Sequence, residues 1–249
     1  MKKLKTLLNI TIIILGIFFA YQVFSYIQSQ KKEKESIQVY NEIKTSSDIK
    51  DKETGQKDYQ SPVDFENLRK INPEIFAWIK SDEGRIDYPL LVTADNEKYL
   101  NTLANGEKNL MGAVFMDFRN ISLNDDFILI YAHTTNNGTM FGSLNEFKKD
   151  PEKTGFTFYT EKKEIRSKAI AAAIISGDTE IDPRAYKDYK KREKFYDFVE
   201  KNAVYKTDYK LKQNDKIINL ITCTYEKQNS RLIVVTVVEW KIWQPWLSF

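Results

Sequence analysis

The 249 residues carry 38 Lys and Arg against 35 Asp and Glu, a net charge of +3, too balanced for a nucleic-acid binder. Apolar residues at 42% and charged residues at 29% suit a globular chain and exclude wholesale disorder. One Cys and one His exclude an internal disulfide framework and a Cys/His-rich zinc site. A carboxylate-based metal site is left open by this arithmetic, but no calcium-loop spacing offers one, and no cofactor or metal is expected.

Lys2, Lys3 and Lys5 precede a stretch without charge from Thr6 to Gln30, whose apolar core is Leu7 to Ile27. A helix needs about 20 largely apolar residues to cross a bilayer, and this run supplies them. Tyr21 and Tyr26 suit the interfacial belt. The competing reading is a cleaved signal peptide, with an apolar core of about 7–15 residues and a small-residue cleavage site. Ser25-Tyr26-Ile27 and Ser29-Gln30-Lys31 match such a site poorly. An uncleaved anchor over residues 1–30 is favoured, with its N-terminus inside, although Lys31, Lys32 and Lys34 soften the charge asymmetry. That makes a single-pass cell-membrane protein whose remaining chain lies outside the cytoplasm. Residues 31–60, rich in Lys, Glu, Asp, Ser and Gln, read as a solvated tether, helical in part or flexible. Residues 61–249 form the expected folded domain.

Ser61 is the expected N-cap and Pro62 the first position of a helix over Pro62–Asn72. Strand character follows at Ile75–Ile79, Ile86–Val92, Gly112–Met116 and Phe127–Ala132. The last, apolar throughout, reads as a buried strand. Met140–Lys149 reads as a short helix, Phe156–Thr160 and Ile165–Ser176 as strands. Lys190–Asn202 reads as a helix with Phe195, Phe198 and Val199 on one face. Lys216–Thr224 and Arg231–Glu239 close the domain as strands. Short strands with interspersed helices point to a mainly β fold, a barrel or curled sheet decorated by helices.

His133 follows the buried run and precedes a polar loop, Thr134 to Gly138. Cys223 ends a second apolar run from Ile217. A strand end fixes a side chain and leaves its tip accessible, as a catalytic group requires. Any Cys–His catalysis here uses this pair. A free thiol, with an ordinary pKa of about 8.5, gains as a nucleophile from a neighbouring imidazole, which can also protonate a leaving amine. Arg231 opens the next strand, across Glu226 to Ser230, and an antiparallel hairpin there brings its guanidinium beside the thiol to face a developing oxyanion. On spacing alone two other readings stand: a lone Cys on an apolar strand is often a small buried hydrophobe and a lone His a hydrogen-bonded structural residue. In an oxidising compartment the thiol is also open to an intermolecular disulfide.

At these residues the sequence resembles a class B sortase, a membrane-anchored cysteine transpeptidase of the Gram-positive surface. The family pattern Thr-Leu-x-Thr-Cys is met by Asn219-Leu220-Ile221-Thr222-Cys223, with Asn219 in place of the first Thr, and Arg231 follows. Phe115 to Asn120, Asp126-Phe127, Ile130-Tyr131-Ala132-His133 and Gly138 to Gly142 resemble class B in particular, and the helix at Lys190–Asn202 matches its insertion before the Cys strand. The resemblance covers residues 62–239. It implies an eight-stranded sortase β-barrel with N-terminal helices. It implies that Cys223 attacks the Thr carbonyl of a sorting signal, that His133 serves as acid then base, and that Arg231 binds the signal and steadies the oxyanion. Thr222, Tyr131, Asn96 and Leu100 match positions lining the family's substrate groove. The implied partners are sorting-signal-bearing surface proteins and the amine of a peptidoglycan precursor. Class B members can carry an acidic residue after the Cys; Thr224 stands here, so no catalytic carboxylate is assigned.

Two other functions are weighed against this one. A membrane-tethered surface binding module could keep the barrel without the chemistry, as the Asn219 departure and the tail Trp240–Phe249, with its three Trp, suggest. A different Cys–His cell-wall peptidase would act without Arg231. Pro151-Glu152-Lys153-Thr154-Gly155 mimics a sorting signal, but a true signal precedes a C-terminal hydrophobic segment and basic tail, whereas this one sits mid-domain between a helix and a strand, so it reads as a turn. The aromatic tail reads as packing on the barrel rather than as a membrane contact.

Overall fold

Strand pairing decides the architecture. The computed structural model describes residues 2–47, 59–135, 138–148, 155–224 and 228–239. Its strands are β1 (Ile75–Ser81), β2 (Asp87–Leu91), β3 (Val114–Met116), β4 (Phe127–Tyr131), β5 (Gly155–Tyr159), β6 (Glu164–Ser176), β7 (Ala203–Lys206), β8 (Ile217–Thr224) and β9 (Ser230–Val238). Neighbours run β5-β1-β2-β3-β4-β8-β9-β6, and β5 also pairs with β6. Eight strands therefore close on themselves, the expected barrel, and closure removes the exposed sheet edges. The pairs β2–β3 and β4–β8 are parallel. β7 is a short addition paired to β6.

β8 and β9 are apolar almost throughout because both of their faces are covered. On one face Phe127, Leu129, Ile217, Ile221, Ile233 and Val235 pack with Phe195, Tyr196 and Val199 of helix α3 (Tyr189–Lys201, numbered after the two N-terminal helices given below). Burying each such side chain contributes about 2 kcal/mol. Asp188 caps this helix by accepting from the Lys191 amide at 3.1 Å. The buried stripe is Arg192, Phe195, Tyr196 and Val199, a spacing of three and four residues. Phe198, expected on the apolar face, is partly exposed, and Tyr196 takes the inward position.

Other boundaries shift for local reasons. Helix α2 spans Phe65–Ile71, later than expected, because Asp64 rather than Ser61 is the N-cap, accepting from the Asn67 amide at 3.0 Å. The segment expected as a helix over Met140–Lys149 is 3-10 from Gly142 to Lys148. The strand expected from Gly112 starts at Val114, since Gly112 has φ +60 and belongs to the preceding turn.

Contacts divide the chain into two units, with the boundary after Asn41. Helix α1 (Lys2–Ser46) is long and apolar enough, by length and composition, to cross a membrane. It continues beyond residue 30 into the segment expected as a tether. Within the second unit Ile43 is buried, Lys44 pairs with Asp87, and the Ser47 carbonyl accepts from the Asp64 amide at 3.0 Å. The remainder of the tether, the Pro151–Thr154 part of the signal-like turn, Glu226 and Lys227 of the hairpin turn, and the aromatic tail from Trp240 lie outside the described residues.

Candidate active site

Three strand ends converge on one rim of the barrel. β8 and β9 are antiparallel, with Cys223 directly opposite Arg231 and Ile221 opposite Ile233. Directly opposed residues share a face, so thiol and guanidinium project from the same side of the hairpin. β4 runs parallel on the other flank of β8, with Tyr131 beside Ile221 and the Ala132 amide donating to the Ile221 carbonyl at 3.3 Å. Two residues further along each strand come His133 and Cys223. Strand alternation puts Tyr131, Ile221, Cys223 and Arg231 on one face. Cys223 is exposed, between buried Thr222 and Thr224, while His133 and Arg231 are half-buried.

Among the described residues the imidazole is held by backbone rather than by a carboxylate. His133 Nε2 lies 2.7 Å from the Leu100 carbonyl oxygen, on the 3-10 turn Lys98–Leu100. A carbonyl can only accept, so Nε2 carries a proton and Nδ1 is the basic nitrogen of the neutral ring. The Leu100 side chain is 38% exposed, an apolar surface next to the imidazole.

Behind the rim sits a charged hub that the sequence did not single out as functional. Asp117 is fully buried. It accepts from Arg119 Nε and Nη2 at 2.8 and 2.7 Å, from Asn96 Nδ2 at 2.9 Å and from the Tyr131 hydroxyl at 3.1 Å. Asn96 Oδ1 accepts in turn from the Phe118 amide, and Arg119 donates to the Ile181 carbonyl at 3.0 Å. Burial opposes the Asp117 charge, but the Arg119 pair and the Asn96 bond outweigh it and hold the carboxyl below the usual carboxylate range. Burial and the Asp117 charge push the Tyr131 hydroxyl well up, with Arg119 and Arg231 pulling the other way. Arg231 is thus within electrostatic reach of the hub.

The four residues matched to the family's substrate groove occupy separate positions around the rim. Leu100 lies beside His133, and Asn96 and Tyr131 converge on Asp117. Thr222 is 3% exposed on the face opposite to Cys223, and its Oγ1 has no hydrogen-bond partner among the described residues. Asn219 shares the Cys223 face deeper in the sheet. Its Nδ2 donates to the Ile128 carbonyl at 3.0 Å, while Oδ1 is buried without a partner among the described residues. Among the described residues no cluster of His, Cys, Asp or Glu could hold a metal ion. A cavity of about 600 Å3 lined by Ile170, Tyr209, Asp215 and Val237 lies toward the other end of β9 from Arg231.

A Cys, a His and an Arg at neighbouring strand ends can carry out acyl transfer through a thioester. Comparison with known proteins points the same way. The Sortase domain family matches residues 82–239. Sortase B of Staphylococcus aureus is 27% identical over 254 residues, spanning 96% of this chain and 98% of that protein. The crystal structure of Clostridium perfringens sortase B superposes with a TM-score of 0.62 at 30% identity, covering 71% of this chain and 100% of that one. A Bacillus anthracis protein described as similar to sortase B superposes with a TM-score of 0.71 at 26% identity, covering 82% and 96%. The chain belongs to the sortase family of cysteine transpeptidases, in its class B.

Proposed function

We propose that this transpeptidase cleaves a C-terminal sorting signal after Thr and transfers the new acyl group to an amine of a cell-wall precursor. Cys223 is the nucleophile, as the thiolate formed when its thiol passes its proton to His133 Nδ1. Its sulfur attacks the Thr carbonyl carbon, and Arg231 faces the oxyanion that forms. His133, protonated at Nδ1, gives that proton to the departing amine as the C–N bond breaks, which leaves a Cys223 thioester and a neutral imidazole. An incoming amine then attacks the thioester. His133 takes its proton, the C–S bond breaks, and the product is an amide on Thr. Tyr131, Asn96 and Leu100 belong to the groove that receives the signal, with Asn96 and Tyr131 shaping it through Asp117, and Thr222 supports the Cys223 strand from the opposite face. The N-terminal helix anchors the enzyme in the cell membrane as a single pass, with residues 1–30 as stub and anchor, a spacer up to residue 60 and the catalytic domain from 61 onward, outside the cell.

The observation that carries this reading is the register that sets Cys223 opposite Arg231 on the hairpin flanking the His133 strand. The test incubates the full chain in detergent with a panel of sorting-signal peptides and a small amine. Products joined to the amine through Thr are expected by mass. Cleavage at other bonds, or an equal yield from peptides lacking Thr, would refute it.

A further inference from the structure

Gly112 occupies a position where no side chain fits. Its φ is +60, its amide donates to the Asn109 carbonyl at 3.1 Å, and the next amide, Ala113, donates to the Tyr99 carbonyl at 2.9 Å. A β-carbon at Gly112 would stand 2.4 Å from the Tyr99 oxygen, 3.0 Å from the Leu100 oxygen and 3.1 Å from His133 Cδ2. Cδ2 is the ring carbon bonded to Nε2, and Nε2 is the atom bound to the Leu100 oxygen. Both partners of the bond that orients the imidazole thus crowd the space of one missing side chain. Two of the three crowding atoms are backbone, which cannot swing aside as a flexible side chain can. Gly84 (φ +71) and Gly106 (φ +91) provide the contrast, since a β-carbon on either meets nothing within 4 Å. Those two positions call for glycine through φ alone; Gly112 also calls for it through space.

We infer that Gly112 is a positioning residue of the transpeptidase. It lets the Lys98–Leu100 turn close on His133, so that the Leu100 carbonyl keeps a proton on Nε2 and leaves Nδ1 for the reaction. This rests on the proposed role of His133 as acid and base. Any side chain at Gly112 drives the turn and the ring apart, frees the imidazole to rotate and removes the preference between its two neutral forms. Misplacement of a reacting group by about 1 Å can cost about 100-fold in rate.

The chain has one His, so every imidazole nitrogen signal of a histidine-labelled sample belongs to His133. The full chain in detergent is compared with Gly112→Ala and with Gly84→Ala, which carries a similar φ penalty without crowding. Nitrogen NMR above the titration of the ring reads the tautomer. Peptide-transfer kinetics read kcat, KM and their pH profiles. The wild-type and Gly84→Ala chains are expected to hold the Nε2–H form. Gly112→Ala is expected to show mixed tautomers and a kcat lower by about 10- to 100-fold, with KM nearly unchanged and the pH profile displaced. A folded Gly112→Ala chain with the Nε2–H form and wild-type kcat would overturn the inference, as would an Nδ1–H wild type. If Gly112→Ala is too unstable to assay, Gly112→Asn, which accepts positive φ more readily, replaces it; failure of both to fold overturns a positioning role in favour of a purely structural one. A tautomer that responds to Gly112 in a chain with no transfer activity sustains the geometry and sinks the functional reading instead.

Discussion

The two sides of the reactive rim are built on different principles. Cys223 and Arg231 are placed by a hairpin ladder whose register runs unbroken from Ile217–Val237 to Thr224–Ser230. His133 lies just beyond the end of β4 and depends on a carbonyl from a separate turn, packed against a glycine. A ladder averages its precision over many hydrogen bonds, so single side-chain changes leave the register intact. A loop contact concentrates its precision in one or two atoms, so small steric changes there move the catalytic group. Behind both, the Asp117 carboxylate ties together the Asn96 loop and the end of β4, and its partner Arg119 ties in the Ile181 segment.

The sharpest way to separate placement from chemistry is at the ladder itself. Cys223→Ala is expected to abolish transfer while thermal stability stays within about 0.5 kcal/mol, because the side chain is exposed on an intact strand. Activity without the thiol would break the account at its root. Arg231→Lys keeps charge and register but loses the planar fork, and kcat for peptide transfer is expected to fall about 100-fold. An undiminished kcat would remove Arg231 from the oxyanion and leave the ladder with a single functional member.

Asp117→Asn tests the hub. It leaves the Arg119 charge without its buried partner, and denaturant unfolding is expected to show a loss of about 3 kcal/mol at neutral pH. The pH dependence has a definite sign. The folded carboxyl titrates below its unfolded value, so its contribution is complete above about pH 4 and is lost as pH falls through the folded pKa. The variant is therefore expected to lose less stability than the wild type as pH falls below about 4. Parallel acid-unfolding curves would contradict that electrostatic role. A smaller effect is expected at Asn219. Replacing it with Thr, as in the family pattern, removes the buried Oδ1 that has no partner among the described residues, and a gain of about 1 kcal/mol is expected in the same unfolding assay.

The contrast between ladder and loop also explains what could be read from residues alone. Phe127–Tyr131, Ile217–Thr224 and the strand from Arg231 announce themselves as apolar runs; a barrel or curled sheet follows from runs of that kind, and the eight-stranded closure only from the family resemblance. β7 does not: Ala203–Lys206 is four residues alternating between half-buried and exposed, a pattern too short to separate from a loop. The start of α2 falls later than Pro62 because the Asp64 side chain, not Ser61, takes the Asn67 amide, a bond that no residue pattern ahead of the helix fixes. The Leu100 contribution to His133 is a backbone atom and leaves no mark in the sequence. Asp117 and Arg119 are visible as a motif, but their partners Asn96, Tyr131 and Ile181 come from distant segments. Gly112 reads in the sequence as the start of a strand; its positive φ and its crowding by Tyr99 and Leu100 are matters of tertiary approach.

One measurement bears most directly on the claim that this rim performs thioester chemistry. The full chain is mixed with a sorting-signal peptide without acceptor, quenched in acid during turnover and weighed intact, then digested to locate any adduct. The account predicts an added mass equal to the peptide fragment ending in Thr, attached at Cys223 and discharged when an amine is supplied. Product formation with Cys223 unmodified throughout, or an adduct that an amine does not discharge, would contradict it.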